Sequence, residues 1–359
     1  MSIGRNRKIY WRLSVLLEKR VTISRVAAEA GVSKQTVSRV VNQSPSVSDT
    51  TRTRVLETIE RLGFRPSALA RNLTSGRSHT IGIVSSDLSY INTDLYLGMA
   101  RRAESLGYAL MLKKLPESTP EGVEDVLLSL VDLHVDGIIW GAPDLGHNQE
   151  WWDTERLARV PMPIVFMSAE RRPELTVVGF DNVEVGQIAT RHLLSLGRKR
   201  IGHISGPRSW WVARQRVDGW RETLEAAGVA AGEDLIEEGD WTAVSGQAAA
   251  ERLLDRHPDM DAIFVANDRM ALGTMLAAHR RGLRIPQDIA IVGVDDLPES
   301  ACYYPPLTTV RQDKRYHGYV AITTLVRRIE QHFGAKTQTP APEHPLEHSL
   351  IVRESAPAA

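Results

Sequence analysis

The sequence predicts an α/β protein in which a small all-α head precedes a body of doubly wound parallel sheet. Three observations carry this prediction. Short amphipathic helical patterns separated by a glycine turn fill residues 21 to 62. From residue 79 apolar runs alternate with helical stretches. Charge divides at the same place, with 15 Lys+Arg against 5 Asp+Glu in residues 1 to 78 and 29 against 39 from there on, so a neutral whole hides a basic head and an acidic body. That asymmetry fits a nucleic-acid-binding head on a body that does not bind nucleic acid.

Within the head, VTISRVAAEA predicts a first short helix, with Thr22 as N-cap and Val26, Ala27 and Ala30 facing inward. Gly31 supplies a turn and Ser33 caps the next helix. On that helix, at about 100° per residue, Val37, Val40 and Val41 share one arc while Lys34, Gln35, Ser38, Arg39 and Asn42 spread over the other. Two short helices, a tight glycine turn and small residues at the crossing have helix-turn-helix spacing. A third helix opens at Ser48 or Asp49, places Val55, Leu56, Ile59 and Leu62 at helical intervals, and stops at Gly63.

A polar helix face is often only solvated; together with the turn and the regional charge, this one points to DNA. Gln35 and Arg39 have the reach and bonding pattern for adenine and guanine edges in the major groove, and Lys34 suits a base or a phosphate. Ser33, Thr36, Ser38 and Asn42 suit backbone positioning, as do amides at the helix start near Thr22.

Residues 67 to 78 follow as a hinge helix and linker. Pro66-Ser67 starts a helix of about two turns before Gly76, too short to persist alone in water. Leu69 and Leu73 share a face on it, beside Arg71. They either dock on the body or pair with a symmetry mate to wedge into the minor groove.

The body contains the runs HTIGIV, YALML, GIIW, PIVFM, TVVGF, RIGHIS, AIFVA and IAIVGV. Continuous apolar strands between helices specify parallel sheet covered on both faces, and ligands bind beyond the carboxyl ends of such strands. There stand Ser86, Ser168, Ser205 and Gly206, Asn267 and Asp268, then Asp295 and Asp296. SWWVARQRVDGW adds Trp210, Trp211, Arg214 and Arg216, and EGDWTAVSG adds Trp241. Tryptophan faces pack on sugar C–H groups while Asp, Asn and Arg pair with hydroxyls. The competing account makes the tryptophans core and the Asp and Asn helix caps.

Other classes fit less well. No GxGxxG, P-loop, GxSxG elbow or metal-ligand cluster occurs, so neither an enzyme nor a cofactor is expected. Cys302 is the lone cysteine, which fits a reducing compartment. IYWRLSVLL, residues 9 to 17, is too short to span a bilayer and is interrupted by Arg12, so a cytoplasmic, nucleoid-associated protein without a membrane partner is expected.

VTISRVAAEAGVSKQTVSRVVNQSPSVSDTTRTRV, FRPSALARNLTSGRSHTIGIV, VANDRMALG, IAIVGVDD and PPLTTVRQD resemble the LacI/GalR transcription regulators in order from residue 21 to about 330. The resemblance implies a body similar to periplasmic sugar-binding proteins, with two doubly wound subdomains joined by three crossovers. It implies a homodimer on double-stranded operator DNA and a hinge helix that orders there. By motif, Lys34, Gln35 and Arg39 read the major groove and Leu73 is the wedge; Ser86, Arg216, Asn267 and Asp295 contact a sugar or glycoside effector, and Trp241 stacks on it. EGDWTAVSG and ACYYPPLTTVRQD favour a β-galactoside-like inducer. Lys34, Gly141, Ser168, Trp210 and Trp211 depart from the pattern, so operator and sugar are expected to differ in detail.

The expected organisation is a basic extension at 1–20, a helix-turn-helix domain at 21–66, the hinge at 67–78, and an effector and dimerisation domain at 79–345. Its N-subdomain covers about 79–180 and 314–340, its C-subdomain about 181–310, and 346–359 is a tail. That tail lacks a leucine heptad, which argues against a coiled-coil tetramer. A sugar-binding transport protein would leave the head idle. A regulator whose ligand acts as corepressor stays open.

Overall fold

The computed structural model describes residues 21–41, 44, 46–64, 77–86, 93–115, 119–143, 151–167 and 169–358. The extension at 1–20, the hinge residues Leu69 and Leu73, and Asn42 and Ser168 lie outside them. The chain divides into two compact units at residues 78/79.

The head holds α1 (Ile23–Ala30), α2 (Lys34–Val41) and α3 (Asp49–Leu62). Val26, Ala27, Ala30, Val37, Val40, Val55 and Phe64 form its core. Gly31 adopts φ +64°, and its N–H reaches Ala27 O and Ala28 O, so the turn closes α1 as it redirects the chain. Leu56, expected inward, is 49% exposed; Thr58 is buried in its stead, its hydroxyl satisfied by Arg54 O at 2.8 Å. The arc of α3 that meets the core is narrow.

The body begins with β1 (Thr80–Ser85), α4 (Thr93–Ser105), β2 (Ala109–Lys114), α5 (Pro120–Asp132), β3 (Gly137–Trp140), α6 (Thr154–Arg159) and β4 (Ile164–Phe166). Their four strands make a parallel sheet in the order β2-β1-β3-β4. Next come α7 (Asn182–Ser195), β5 (Ile201–Ser205), α8 (Trp211–Ala226), β6 (Ile236–Glu238), α9 (Ala243–Arg256), β7 (Ala262–Val265), α10 (Asp268–Arg280), β8 (Ala290–Asp295) and β9 (Thr308–Gln312). Finally α11 (Lys314–His332) returns to the first sheet and β10 (His348–Ile351) to the second. The second sheet runs β10-β9-β8-β7-β5-β6, parallel except that β10 pairs antiparallel with β9. Between the sheets the chain passes three times, before α7, before α11 and before β10.

Three readings of the sequence change. TVVGF is not a strand: only Val177 bridges Phe166, because the chain leaves at once for the other sheet. YALML is an edge strand with Leu112 42% exposed, not one buried on both faces. Residues 346–359 are not a tail. β10 completes the second sheet, Ser355 Oγ donates to Ile291 O at 2.7 Å, and Ala356 is fully buried. These residues seal the β9 edge that would otherwise expose unpaired backbone.

Mid-helix glycines set three close crossings. A Cβ on Gly186 (α7) would lie 2.5 Å from Arg216 O, and one on Gly219 (α8) 2.1 Å from Val183 O. Gly98 and Gly318 do the same for α4 and α11, and Gly246 and Gly273 for α9 and α10. Each backbone occupies the space a side chain would need.

Candidate functional site

On the head, Lys34, Gln35 and Arg39 are exposed on α2 while Val37 and Val40 on its other side are buried. Among the described residues none of these three side chains has a hydrogen-bond or ion-pair partner, which leaves a row of free donors. Ser33 Oγ accepts from Thr36 N at 3.1 Å and bonds the Thr36 hydroxyl at 2.9 Å, so Ser33 caps the helix and both hydroxyls are engaged in the cap. Ser38 is half-buried. Thr22 occupies the N-cap position of α1 without a side-chain cap bond.

In the body, polar groups gather where strands of the second sheet end. Arg216, on α8, is 5% exposed. Its Nε donates to Asn182 Oδ1 at 3.0 Å, Nη1 to Ala266 O, and Nη2 to Gln312 Oε1 at 3.3 Å. The guanidinium carbon lies 5.8 Å from the Trp241 ring centroid. Burial pulls the Arg216 pKa down, and the carboxylates of Asp295 and Asp268 oppose that pull.

Asn267 is 8% exposed with both ends of its amide engaged: Oδ1 accepts from Met270 N at 2.8 Å, capping α10, and Nδ2 donates to Trp241 O at 3.0 Å. It therefore pins the Trp241 loop as well as the helix. Trp241 has φ +72°, packs its ring over Gly206, stands edge-on to Trp210 at 5.6 Å, and buries an indole N–H with no partner among the described residues. Asp295 and Asp296 also have positive φ, 113° and 57°. Three non-glycine residues in left-handed conformations around one crevice are costly, and such strain collects at functional sites.

Asp295 pairs with Lys314 Nζ at 3.2 Å, with the two side chains 18% and 20% exposed. Lys314 Nζ also donates to Gln312 Oε1 at 2.5 Å and lies 5.2 Å from the Phe180 ring centroid. Burial lowers the lysine pKa, while Asp295 pulls it back up. Below this layer the Asp268 carboxyl accepts from Leu297 N, Ser300 Oγ and Thr309 Oγ1. Its pKa is pushed up to about 7, first by burial and then by Asp295.

A cavity of about 460 Å³ adjoins this cluster, lined by Arg171, Phe180, Asp181, Asn182, Trp211 and Gln215 among others. The structure thus brings Arg216, Trp241, Asn267, Asp295 and Trp210 into one neighbourhood. Ser86, at the end of β1, makes no hydrogen bond with any of them among the described residues, and of the two neighbouring tryptophans Trp211 lines the cavity while Trp210 packs against Trp241. Asn182, Gln312 and Lys314 escaped sequence reasoning. Gln312 stands near the end of the PPLTTVRQD run, whose strand character is hidden by its threonines, and Lys314 follows that run as the first residue of α11.

A three-helix head with a free polar row, followed by two sheets flanking a polar crevice, defines a DNA-binding transcriptional regulator. Residues 22–67 match the profile of bacterial regulatory proteins, lacI family, and residues 190–356 that of a periplasmic binding protein-like domain. The chain is 36% identical to catabolite control protein A of Priestia megaterium, over 87% of its own length and 93% of that protein's. A lac repressor dimer bound to operator and the anti-inducer ONPF superposes with TM-score 0.80 at 32% identity, covering 95% of this chain and 100% of that one. A transcriptional regulator CelR–cellobiose complex matches with TM-score 0.68 at 33% identity, covering 94% and 100%. The chain belongs to the LacI family of bacterial regulatory proteins. It is a regulator of transcription and not an enzyme.

Proposed function

We propose that the protein represses a carbohydrate-utilisation operon in the cytoplasm, binding a palindromic operator as a homodimer and leaving it when a sugar or glycoside of β-galactoside type binds the body. What most supports this reading is the cluster of Arg216, Trp241, Asn267 and Asp295 at the strand ends, where planar polar groups surround an aromatic face as carbohydrate recognition requires. The solved relatives, one bound to operator DNA and one to cellobiose, have the same two-part architecture.

In this reading Lys34, Gln35 and Arg39 meet base edges, and Thr22, Ser33, Thr36, Ser38 and Asn42 hold the phosphate backbone. Residues 67–78 form a hinge helix on bent DNA, with Leu73 and Leu69 against the minor groove. Arg216 and Asp295 grip hydroxyls, Trp241 and Trp210 supply apolar faces, Asn267 pins the Trp241 loop, and Ser86 approaches from the first sheet. Sugar binding shifts the crevice walls, and a coupling of about 1 to 3 kcal/mol suffices to loosen a marginal hinge. The effector must favour the released state, since equal affinity for both states shifts nothing.

A mobility shift on DNA upstream of the neighbouring operon, titrated with mono- and disaccharides, tests this. Release of the shifted band by a sugar is expected. A band that only tightens would make the ligand a corepressor, and no band at all would remove the repressor assignment.

A further inference from the structure

The crevice carries a charge arrangement that hydroxyl recognition does not require. Two cations converge on one neutral oxygen: Arg216 Nη2 and Lys314 Nζ both donate to Gln312 Oε1, at 3.3 and 2.5 Å. The other Arg216 bonds end on Asn182 Oδ1 and Ala266 O, which are neutral too. A guanidinium buried this deeply is normally met by an anion, because its desolvation is only partly offset by uncharged acceptors.

Asp295 and Asp268 act on Arg216 through space, but no nearby carboxylate bonds it directly among the described residues. Asp295 is held by Lys314. Asp296 is taken by Arg311 and Arg353, both at 2.6 Å. Asp268 faces Leu297 N, Ser300 and Thr309, and burial favours its neutral form. Asp181 accepts from Glu184 N and caps α7. Of the two cations at Gln312, only Lys314 has a carboxylate in direct contact, while Arg216 is bonded to neutral acceptors alone among the described residues.

The adjoining cavity reaches the same residues and an uncapped helix start. Its wall contains Asn182 and Phe180, the residues touched by Arg216 and Lys314, together with Arg171. Trp211 and Val212, the first residues of α8, also line it, and no side chain caps that helix start, so the positive end of its dipole faces the space. Among the described residues of the wall Asp181 is the one carboxylate, and it also caps α7.

We propose that the effector is an acidic carbohydrate, a uronic or aldonic acid or its glycoside, whose carboxylate docks where Lys314 and Arg216 converge and displaces the Gln312 carbonyl between them. This rests on the reading of the body as a carbohydrate sensor and specifies its ligand class. A single carboxylate supplies the directly bonded anion that Arg216 lacks, and its oxygens accept from both cations while the sugar hydroxyls meet Asp295 and the ring meets Trp241.

Matched pairs test it on the full chain by calorimetry and operator release: lactose against lactobionate, cellobiose against cellobionate, galactose against galacturonate. At least one acid is expected to bind roughly tenfold or more tightly than its neutral partner, as a charge-assisted contact in a partly dry site would give, with a preference that falls as salt rises. Lys314→Met should erase most of that preference; the salt dependence of the wild-type protein reads the same charge without relying on the variant's folding. Binding of the neutral sugars with no acid preferred in any pair overturns the acidic class and leaves the carbohydrate-sensor reading standing. If neither member of any pair binds or releases operator, the sensor reading itself fails and the inference goes with it.

Discussion

Asn182 and Arg216 are joined side chain to side chain, the guanidinium Nε donating to Oδ1 at 3.0 Å. Asn182 is the first residue of α7, reached as the chain passes from one sheet to the other, so the bond ties a crossover to the crevice. Gln312 Nε2 approaches the same oxygen at 3.4 Å from a second crossover. Replacing Asn182 by Ala strands a buried guanidinium N–H, and effector affinity is expected to fall by about 1 to 3 kcal/mol, the cost of an unsatisfied buried donor. Calorimetry with a releasing sugar checks this; unchanged affinity would show that Arg216 needs no orientation from Asn182.

Asp295 is expected to matter for the response to effector and not for operator binding. Its carboxylate is 18% exposed, sits on a strained φ of 113° at the end of β8, and spans to Lys314 at the start of α11. Asp295→Ala should still shift operator DNA but no longer release it when sugar is added. An unchanged dose response would place Asp295 outside the ligand site.

On the head, the exposed Arg39 side chain has no intramolecular partner among the described residues, so its donors are available for a base edge. Arg39→Ala is expected to relax preference at one operator position at a cost of about 1 to 3 kcal/mol, the worth of a bidentate contact. Binding measured across single-base operator variants checks it: equal weakening on every sequence would assign Arg39 to phosphate.

The glycine crossings give a stability prediction independent of any ligand. A methyl on Gly219 would sit 2.1 Å from Val183 O, and backbone cannot yield as a flexible side-chain end does. Gly219→Ala should force α7 and α8 apart and destabilise the body by about 1 to 3 kcal/mol, the usual range for overpacking. Because Asn182 begins α7 and Arg216 lies on α8, effector affinity should fall in the same variant. A wild-type melting temperature would show that the crossing relaxes freely.

How far the sequence reveals all this depends on what kind of signal each feature leaves. Helical period and apolar runs expose α1, α2 and the buried strands β1, β3, β5, β7 and β8, because continuous burial demands continuous hydrophobicity. Strands β6, β9 and β10 are written IEE, TTVRQ and HSLI, and stay hidden since their polar groups are satisfied by partners far away in sequence: Thr309 by Asp268, Thr308 by Arg353 O. Asp295 and Asn267 stand out as polar residues directly after such runs. Lys314 does not, because a lysine opening a helix is usually solvated, and only the fold places it against Asp295. Asn267 carries both readings at once, a helix cap in the crevice wall.

Buried histidines set the response to acid. His203 is fully buried between Phe264 and Trp220, bonded through Nδ1 to Phe264 O, and its Nε2 has no partner among the described residues. Burial lowers its pKa from 6.5 to about 3 and that of His317 to about 4. Both gain a proton on unfolding below pH 6.5, so the stability their neutral forms contribute is complete above that pH and is lost as the pH falls towards 4, at roughly 1.4 kcal/mol per unit for each group. Asp268 works in the opposite direction. Its folded pKa of about 7 exceeds the ordinary 3.8, so over the same window the native state holds a proton that the unfolded state has released. For these three groups, two protons gained on unfolding against one lost leave a net slope of about one proton between pH 4 and 6.5, and His348, also lowered by burial, adds to it. Urea melts across that window should show stability falling with acid at that slope or more. His203→Phe should flatten it, and Asp268→Asn should steepen it towards two protons. An unchanged slope in the His203 variant would mean that this ring does not resist protonation in the folded body.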